Sequence, residues 1–143
     1  MKITLMAVGK TNDPRIQSFI DEYQQRLKHY APFEFVVVPE SKNDTAILAR
    51  LTPATDVILL DERGQEFRSV ELAEWLQKKM NTGRDLTFVI GGPFGFSKEV
   101  YARANGQWSL SRVTFSHQMI RIMAIEQIYR AMTILRNEPY HHE

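Results

Sequence analysis

The stretch Thr87-Phe88-Val89-Ile90-Gly91-Gly92-Pro93-Phe94-Gly95 is the part of the chain on which the expected fold depends. Its first four residues are β-branched or aromatic, which is typical of a buried strand. Two glycines let the backbone turn sharply and let a ligand come close, and Pro93 stiffens the exit. Ser97 follows as the expected cap of a helix. The pattern predicts either a ligand site at the carboxyl end of a strand or a plain turn that binds nothing.

The glycine loop lacks the features of the two best-known phosphate-binding loops. Gly91, Gly92 and Gly95 do not form the G-x-G-x-x-G fingerprint of dinucleotide-binding folds. No Gly-Lys-Ser or Gly-Lys-Thr follows, which excludes a P-loop. A ligand of this loop must therefore be held in a different geometry.

The composition indicates one globular domain, expected to span residues 1–143. Hydrophobic residues make up 43% and charged residues 24%, as in ordinary soluble proteins, and the net charge of +1 gives no global field that would attract nucleic acid. The absence of cysteine excludes disulfides, thiolate metal sites and a cysteine nucleophile. The chain begins directly with a strand pattern and has no apolar run of membrane-spanning length, so we expect a cytoplasmic protein.

Strand and helix patterns alternate along the whole chain, which predicts a mainly parallel sheet with helices on both faces. A polar loop is expected over residues 62–66, directly after the third strand. Ser69 is expected to cap the helix that follows. The expected strands cover residues 2–8, 33–38, 56–61, 85–90 and 107–111, and the expected helices begin near Asp13, Ser41, Ser69, Lys98 and Gln118.

The last predicted helix, from Gln118 to Asn137, is apolar on more than one face. Such a helix is covered on more than one face, and in a short chain a second subunit is the natural cover. We therefore predict a homodimer, the alternative being a central helix buried within one subunit. Glu126 and Arg130 are spaced to form an ion pair along this helix.

Few side chains could perform acid–base chemistry. No group of His, Asp and Glu has metal-ligand spacing, so no metal is expected, and there is no Gly-x-Ser-x-Gly nucleophile elbow. His29, His117, His141 and His142 each fit a structural or surface role as well as a chemical one. Apart from these side chains, the sequence offers two loops at strand ends. Such loops suit a cofactor that supplies the reactive group itself, such as a sulfonium methyl donor.

Several motifs resemble those of the RlmH family of ribosomal large-subunit RNA pseudouridine N3-methyltransferases, in the SPOUT superfamily. The resemblance covers the full length, and Ser116 stands where many relatives carry proline. It implies an α/β fold with a C-terminal trefoil knot, a homodimer, and S-adenosylmethionine bound in the knot. The motifs are Ile90-Gly91-Gly92-Pro93-x-Gly95, Trp108-Ser109-Leu110-Ser111, Thr114-Phe115-x-His117-Gln118-Met119-x-Arg121, Ile125-Glu126-Gln127-x-Tyr129-Arg130-Ala131 and Tyr140-His141.

The resemblance also implies where the methyl donor binds. Backbone groups at the ends of the third and fourth strands and in the second loop would hold the adenine and ribose. The implied donor residues are Leu59, Gly91, Gly92, Leu110, Ser111, Arg112, Val113, Thr114 and Phe115.

The acceptor implied by the resemblance is a pseudouridine in a hairpin loop of the large-subunit (23S) RNA, recognised on the assembled ribosome. Tyr140, His141 and His142 would seat the base, in the site of the partner subunit. Arg130 and Arg121 are candidates for phosphate or donor-carboxylate contacts. The N3 proton must leave, and His141 is the first candidate for the general base, with Glu143 the second. The alternative is a noncatalytic nucleotide- or RNA-binding module with the same layers.

Overall fold

The structure is a computed structural model that describes residues 1–142. Its centre is a five-stranded sheet in which every neighbouring pair is parallel, with the order β2-β1-β4-β3-β5. The predicted parallel sheet is thus confirmed. The strands are β1 (Ile3–Val8), β2 (Phe33–Val38), β3 (Thr55–Glu66), β4 (Asp85–Ile90) and β5 (Gly106–Ser109).

Helices connect the strands, as the alternating pattern predicts. A short 3-10 turn over Lys42–Asp44 precedes the second helix. The last helix begins and ends within the predicted span of residues 118–137. The helices are α1 (Pro14–Leu27), α2 (Thr45–Leu48), α3 (Ser69–Asn81), α4 (Lys98–Arg103) and α5 (Met119–Leu135).

Alternate residues of the strands point to opposite faces of the sheet, and each face is covered by helices. On one face, Phe88 and its neighbours pack against α1, α3 and α5 in the larger core cluster. On the other face, Val89 and Leu59 pack against Ile47 of α2 and Val100 of α4. Helices on both faces are therefore confirmed. The trefoil knot that the resemblance implies stays a prediction.

The third strand differs from its prediction. Residues 62–66 are not a free loop, because β3 continues to Glu66 and pairs with Trp108 twice, from Leu60 and again from Gln65, across a bulge. Gly64 permits this bulge: a Cβ there would lie 2.6 Å from the carbonyl carbon of Gln107, which is closer than any side chain tolerates. The backbone of β5 thus occupies the space that a side chain at position 64 would need.

The start of α3 also differs from its prediction. Ser69 is the first helical residue, and Arg68 takes the cap position. The Glu71 carboxylate accepts a hydrogen bond from the backbone N–H of Arg68 at 2.7 Å, and this bond secures the first turn. Gly83 follows the C-terminal end with a φ of +74°, as the predicted helix end requires. Within residues 1–142, no helix has the length and apolar character to cross a membrane.

Candidate functional site

A cavity of about 470 Å³ lies at the carboxyl ends of β4 and β5 and beside the bulged part of β3, residues 60–63. Ligands of open α/β sheets bind at this edge, because the loops that follow the strands converge there. The walls combine apolar side chains with backbone of the glycine loop and of the loop before α5. The lining residues are Leu60, Asp61, Glu62, Arg63, Ile90, Gly91, Gly92, Pro93, Gly95, Phe96, Tyr101, Trp108, Leu110, Ser111, Val113, Thr114, Phe115, Ser116, His117 and Ile120.

The glycine loop forms one wall of this cavity. The N–H of Gly95 donates to the carbonyl of Gly92 at 3.2 Å, and Gly95 has a φ of +75°, which favours glycine. A Cβ on Gly91 would lie 3.1 Å from the ring of Phe96 and 3.3 Å from the carbonyl oxygen of Gly95. Both contacts are with other lining residues, so a side chain at position 91 would narrow the cavity itself.

The loop over residues 110–118 forms the opposite wall, and short side-chain contacts fix its shape. The Ser109 hydroxyl donates to the carbonyl of Ser111 at 2.9 Å, and the N–H of Val113 donates to the Ser111 hydroxyl at 3.2 Å. Ser116, the residue that departs from the family pattern, accepts from the N–H of Met119 at 3.0 Å. This bond ties the loop to the first residue of α5, and a proline side chain has no oxygen that could accept it.

Arg121 fastens this second loop to the turn after β1. Its side chain has no exposed surface, and its guanidinium donates to the carbonyls of Val8 (3.0 Å), Gly9 (2.8 Å) and His117 (3.1 Å) and to the Thr11 hydroxyl (2.7 Å). Burial lowers the pKa of Arg121 from its usual value. The prediction of a phosphate or carboxylate contact is wrong for Arg121, because these four acceptors already occupy the buried guanidinium.

A network of three side chains at the cavity wall was absent from the predicted site residues. The Tyr101 hydroxyl donates to Asp61 at 2.5 Å, and Arg63 donates to Asp61 (3.2 Å) and to Tyr101 (2.6 Å). Burial alone would raise the pKa of Asp61, but the hydrogen bonds from Arg63 and Tyr101 outweigh it and lower that pKa to about 2. The sequence signal was the polar run over residues 62–66, but nothing in it pointed to Tyr101 on α4.

The structure brings most of the predicted donor residues together. Those that line the cavity are Gly91, Gly92, Leu110, Ser111, Val113, Thr114 and Phe115. Leu59 is fully buried in the core cluster on the other face of the sheet, and its neighbour Leu60 lines the cavity instead. Arg112 lies outside the lining and pairs with Glu66 at 2.6 Å on the surface. The part that each residue plays in binding stays a prediction.

The C-terminal tail packs on α1 and α5 of its own chain. The hydroxyls of Tyr23 and Tyr140 are 3.0 Å apart, and the Tyr140 hydroxyl donates to Glu126 Oε1 at 3.0 Å. Arg130 pairs with the same Glu126 oxygen at 2.7 Å, which confirms the predicted ion pair, and its third nitrogen lies 3.1 Å from His141 Nδ1. Burial, followed by the hydrogen bonds that the Tyr140 hydroxyl makes with Tyr23 and Glu126, raises the pKa of Tyr140.

The tail and the cavity are separate within one chain. None of Arg130, Tyr140, His141 and His142 is among the residues that line the cavity. His142 is exposed, and Glu143 lies outside the described residues. Across residues 1–142, no group of three or more His, Asp and Glu side chains could hold a metal ion. The tail and the cavity therefore lie apart in this chain.

Comparison with known proteins agrees with this fold. A family model described as Predicted SPOUT methyltransferase matches residues 1–141. A methylase family protein from Neisseria gonorrhoeae has the same fold, with a TM-score of 0.57 at 15% identity over 99% of this chain and 86% of its own. The chain belongs to the SPOUT methyltransferase family.

Relatives with higher sequence identity carry a more specific name than the family model does. Proteins named Ribosomal RNA large subunit methyltransferase H from Porphyromonas gingivalis and Parabacteroides distasonis are 51% and 50% identical to this chain. Each match covers 100% of this chain and 100% of the relative. The resemblance drawn from the loop and tail motifs is thereby confirmed.

Proposed function

We propose that this protein is an S-adenosylmethionine-dependent methyltransferase that acts on large-subunit (23S) ribosomal RNA and carries its donor in the cavity between the two loops. The observation that carries the proposal is this cavity. It lies where α/β sheets bind ligands, and seven of the nine donor residues expected from the motifs line it. The names of the half-identical relatives supply the substrate class.

The cavity suits a nucleoside-containing donor. Apolar side chains such as Leu60, Leu110 and Ile120 offer a surface for an adenine ring, and Gly91 leaves open the space that a Cβ would fill. The backbone of the two loops supplies N–H and C=O groups for the polar edges of such a ligand. When bound, the sulfonium donor would supply an electrophilic methyl group.

We propose that the acceptor is N3 of a pseudouridine in a hairpin loop of the RNA, and that the assembled ribosome presents it. Unpaired loop bases are the ones that proteins can grip by stacking and hydrogen bonding. The net charge of +1 provides little of the phosphate-neutralising attraction on which binding to free RNA depends. Shape contacts with a preformed ribosomal surface would then provide the specificity.

We propose that the working unit is a homodimer in which the tail of one chain completes the cavity of the other. The separation of tail and cavity within one chain supports this. So do Met119 and Met123, which lie on α5 with 46% and 40% of their surfaces exposed. Tyr140, His141 and His142 would seat the base there, and Arg130 would hold the tail. Residues 1–143 are taken as one methyltransferase domain that acts in the cytoplasm, where ribosomes assemble.

Two measurements test the proposal. Calorimetric titration with S-adenosylmethionine, ATP and NAD should show binding of the methyl donor alone, since a general nucleotide-binding module would prefer ATP or NAD. Transfer of a radiolabelled methyl group should then be measured on ribosomes, and on naked large-subunit RNA, from cells that lack the modification. We expect a much higher initial rate on ribosomes. Donor binding without transfer to either substrate would favour the noncatalytic module, and equal rates would contradict recognition on the ribosome.

A further inference from the structure

The network of Asp61, Arg63 and Tyr101 places a cation at the wall of the cavity between the two loops. Of the described residues that line this cavity, the Asp, Glu, Lys and Arg members are Asp61, Glu62 and Arg63. We propose that Arg63 binds the carboxylate at the amino-acid end of S-adenosylmethionine, and that Asp61 and Tyr101 are positioning residues that hold its guanidinium for this contact. The proposal rests on the proposed function, because it assigns one part of that cavity to one part of that donor.

The carboxylate of the donor needs a cationic partner when it leaves water, and arginine provides the best geometry for it. Other arginines of the predicted site are placed unfavourably. Arg121 is buried and donates to four groups of its own chain, and Arg130 lies outside the cavity lining. Among the lining residues that the structure describes, Arg63 is the only lysine or arginine. It is therefore the cation that a donor in this cavity can reach.

Asp61 and Tyr101 fix the orientation of this guanidinium from one side. The Nε and Nη2 atoms of Arg63 each donate to an oxygen of the Asp61 carboxylate at 3.2 Å, and Nη2 also donates to the Tyr101 hydroxyl at 2.6 Å. Within residues 1–142, no hydrogen bond uses Nη1. Because 72% of the Arg63 side chain is exposed, the guanidinium is accessible to a ligand. The bonds to Asp61 thus orient the group and leave Nη1 available.

The mixture of charges at this wall favours the amino-acid end of the donor over a phosphate of the RNA. Asp61 and Glu62 set two carboxylates against the one guanidinium, so this part of the wall is negative overall. S-adenosylmethionine brings an ammonium and a sulfonium group together with its carboxylate, and its net charge is positive. A phosphodiester brings negative charge alone and would be repelled by both carboxylates. The arginine therefore suits a ligand end that carries both signs of charge.

The contact is tested by removing either of its partners. Decarboxylated S-adenosylmethionine keeps the adenosine, the sulfonium and the amine but lacks the carboxylate. In calorimetric titration, Arg63→Met should weaken binding of S-adenosylmethionine about tenfold. It should not weaken binding of the decarboxylated analogue, which offers Arg63 no partner. Arg63→Lys keeps a cationic donor and should recover much of the affinity that Arg63→Met loses.

Arg15→Met is the matched control, because Arg15 pairs with Asp13 in the same local geometry. The Arg15 backbone N–H, Nε and Nη2 donate to the Asp13 carboxylate at 2.8, 3.1 and 2.8 Å, as the same three groups of Arg63 do to Asp61. Arg15 lies outside the residues that line the cavity. Its replacement breaks an equivalent pair and should leave the affinity for both ligands within about twofold of the wild type.

The outcomes separate this contact from the proposed function. If Arg63→Met weakens both ligands equally or neither, or if Arg63→Lys binds no better than Arg63→Met, the carboxylate contact is overturned and the methyltransferase stays in place. Unchanged donor affinity in Arg63→Met, together with slower methyl transfer on ribosomes, would overturn the contact and assign Arg63 to the RNA. A wild type that does not bind S-adenosylmethionine would overturn the proposed function, and this contact with it.

Discussion

At the scale of single residues, charge and packing at the cavity wall depend on a few contacts. The Asp61 carboxylate, with 8% of its side chain exposed, holds Arg63 and Tyr101 against the end of β3. Gly91 has no side chain, so the wall that the glycine loop forms leaves the cavity open. Both positions support predictions that can be measured without ribosomes.

We predict that Asp61→Asn lowers the free energy of unfolding by about 2 kcal/mol at pH 7. The folded protein holds the pKa of Asp61 at about 2, below the value of 3.8 in an unfolded chain, so the ionised group stabilises the fold above pH 4. This stabilisation is lost as the pH falls from about 4 towards 2, so the difference from the wild type should shrink there. Urea unfolding of both proteins at pH 7, 4 and 3 measures this difference in the free energy of unfolding.

The control for Asp61 is Glu74→Gln, the same acid-to-amide change at an exposed position of α3. It should alter stability by less than about 0.5 kcal/mol. A constant difference between Asp61→Asn and the wild type across this pH range would contradict the lowered pKa.

We predict that Gly91→Ala weakens S-adenosylmethionine binding about tenfold, which corresponds to ~1.4 kcal/mol, and that Gly91→Val abolishes measurable binding. The added carbon would press on Phe96 and Gly95 and fill the space next to the donor. Calorimetric titration measures the affinity, and circular dichroism confirms that the variants fold.

Phe94→Ala is the control for Gly91. It changes the same loop, but the Phe94 side chain is 93% exposed and does not line the main cavity. Its donor affinity should stay within about twofold of the wild type. Wild-type affinity in folded Gly91→Val would show that the donor binds elsewhere.

At the scale of elements, the position of α5 depends on a buried arginine, Arg121, that pairs with no carboxylate among residues 1–142. Arg121 connects the start of α5 to the turn after β1, and Gln118 adds bonds to the N–H of Asn12 (2.9 Å) and the carbonyl of Lys10 (3.0 Å). These bonds join the loop before α5 to the turn after β1, the strand next to β4 in the sheet. The second wall of the cavity is therefore anchored through α5 to β1.

We predict that Arg121→Met lowers the free energy of unfolding by about 2–4 kcal/mol. Methionine fills much of the space but leaves the buried carbonyls of Val8 and Gly9 without a donor. Donor affinity should also fall, because the second loop loses its anchor. Urea unfolding and calorimetry measure the two effects, with Lys78→Met as a control expected to stay within about 0.5 kcal/mol. Unchanged stability in Arg121→Met would show that these bonds contribute nothing net.

At the scale of the whole molecule, α5 has an apolar face, with Met119 and Met123, that the rest of residues 1–142 leaves partly exposed. Met123 lies on this face, beside Phe115 of the second loop in a smaller groove. A partner seated there would contact the loop that forms the donor cavity. Dimer formation and completion of the site would then depend on the same surface.

We predict that Met123→Glu converts a homodimer into a monomer, because a carboxylate cannot be buried in an apolar interface without a partner. Light scattering at micromolar concentration measures the mass. Val37→Glu is the matched control: Val37 is 42% exposed on the edge strand β2, and this variant should stay dimeric. A wild type with the mass of a monomer would contradict the proposed dimer.

The amino-acid sequence was enough to predict most of the helices and strands and the two loops between which the cavity lies. Alternating apolar patterns and glycine or proline punctuation identify strands such as β4 and the loop that follows it, because these signals act between near neighbours in the chain. Since parallel strands end at one edge of the sheet, these loops could be assigned to one site. The family motifs then indicated the chemistry of that site, which no local pattern defines.

The tertiary structure alone decided which distant residues meet. It extended β3 through the polar run of residues 62–66, because β5 pairs with that run across the bulge at Gly64. It buried Arg121, which the sequence offered as a ligand contact, and it joined Asp61 to Tyr101, 40 residues away. Side chains so far apart in the chain come together through packing of the whole sheet and its helices, and the order of residues carries no direct record of that packing.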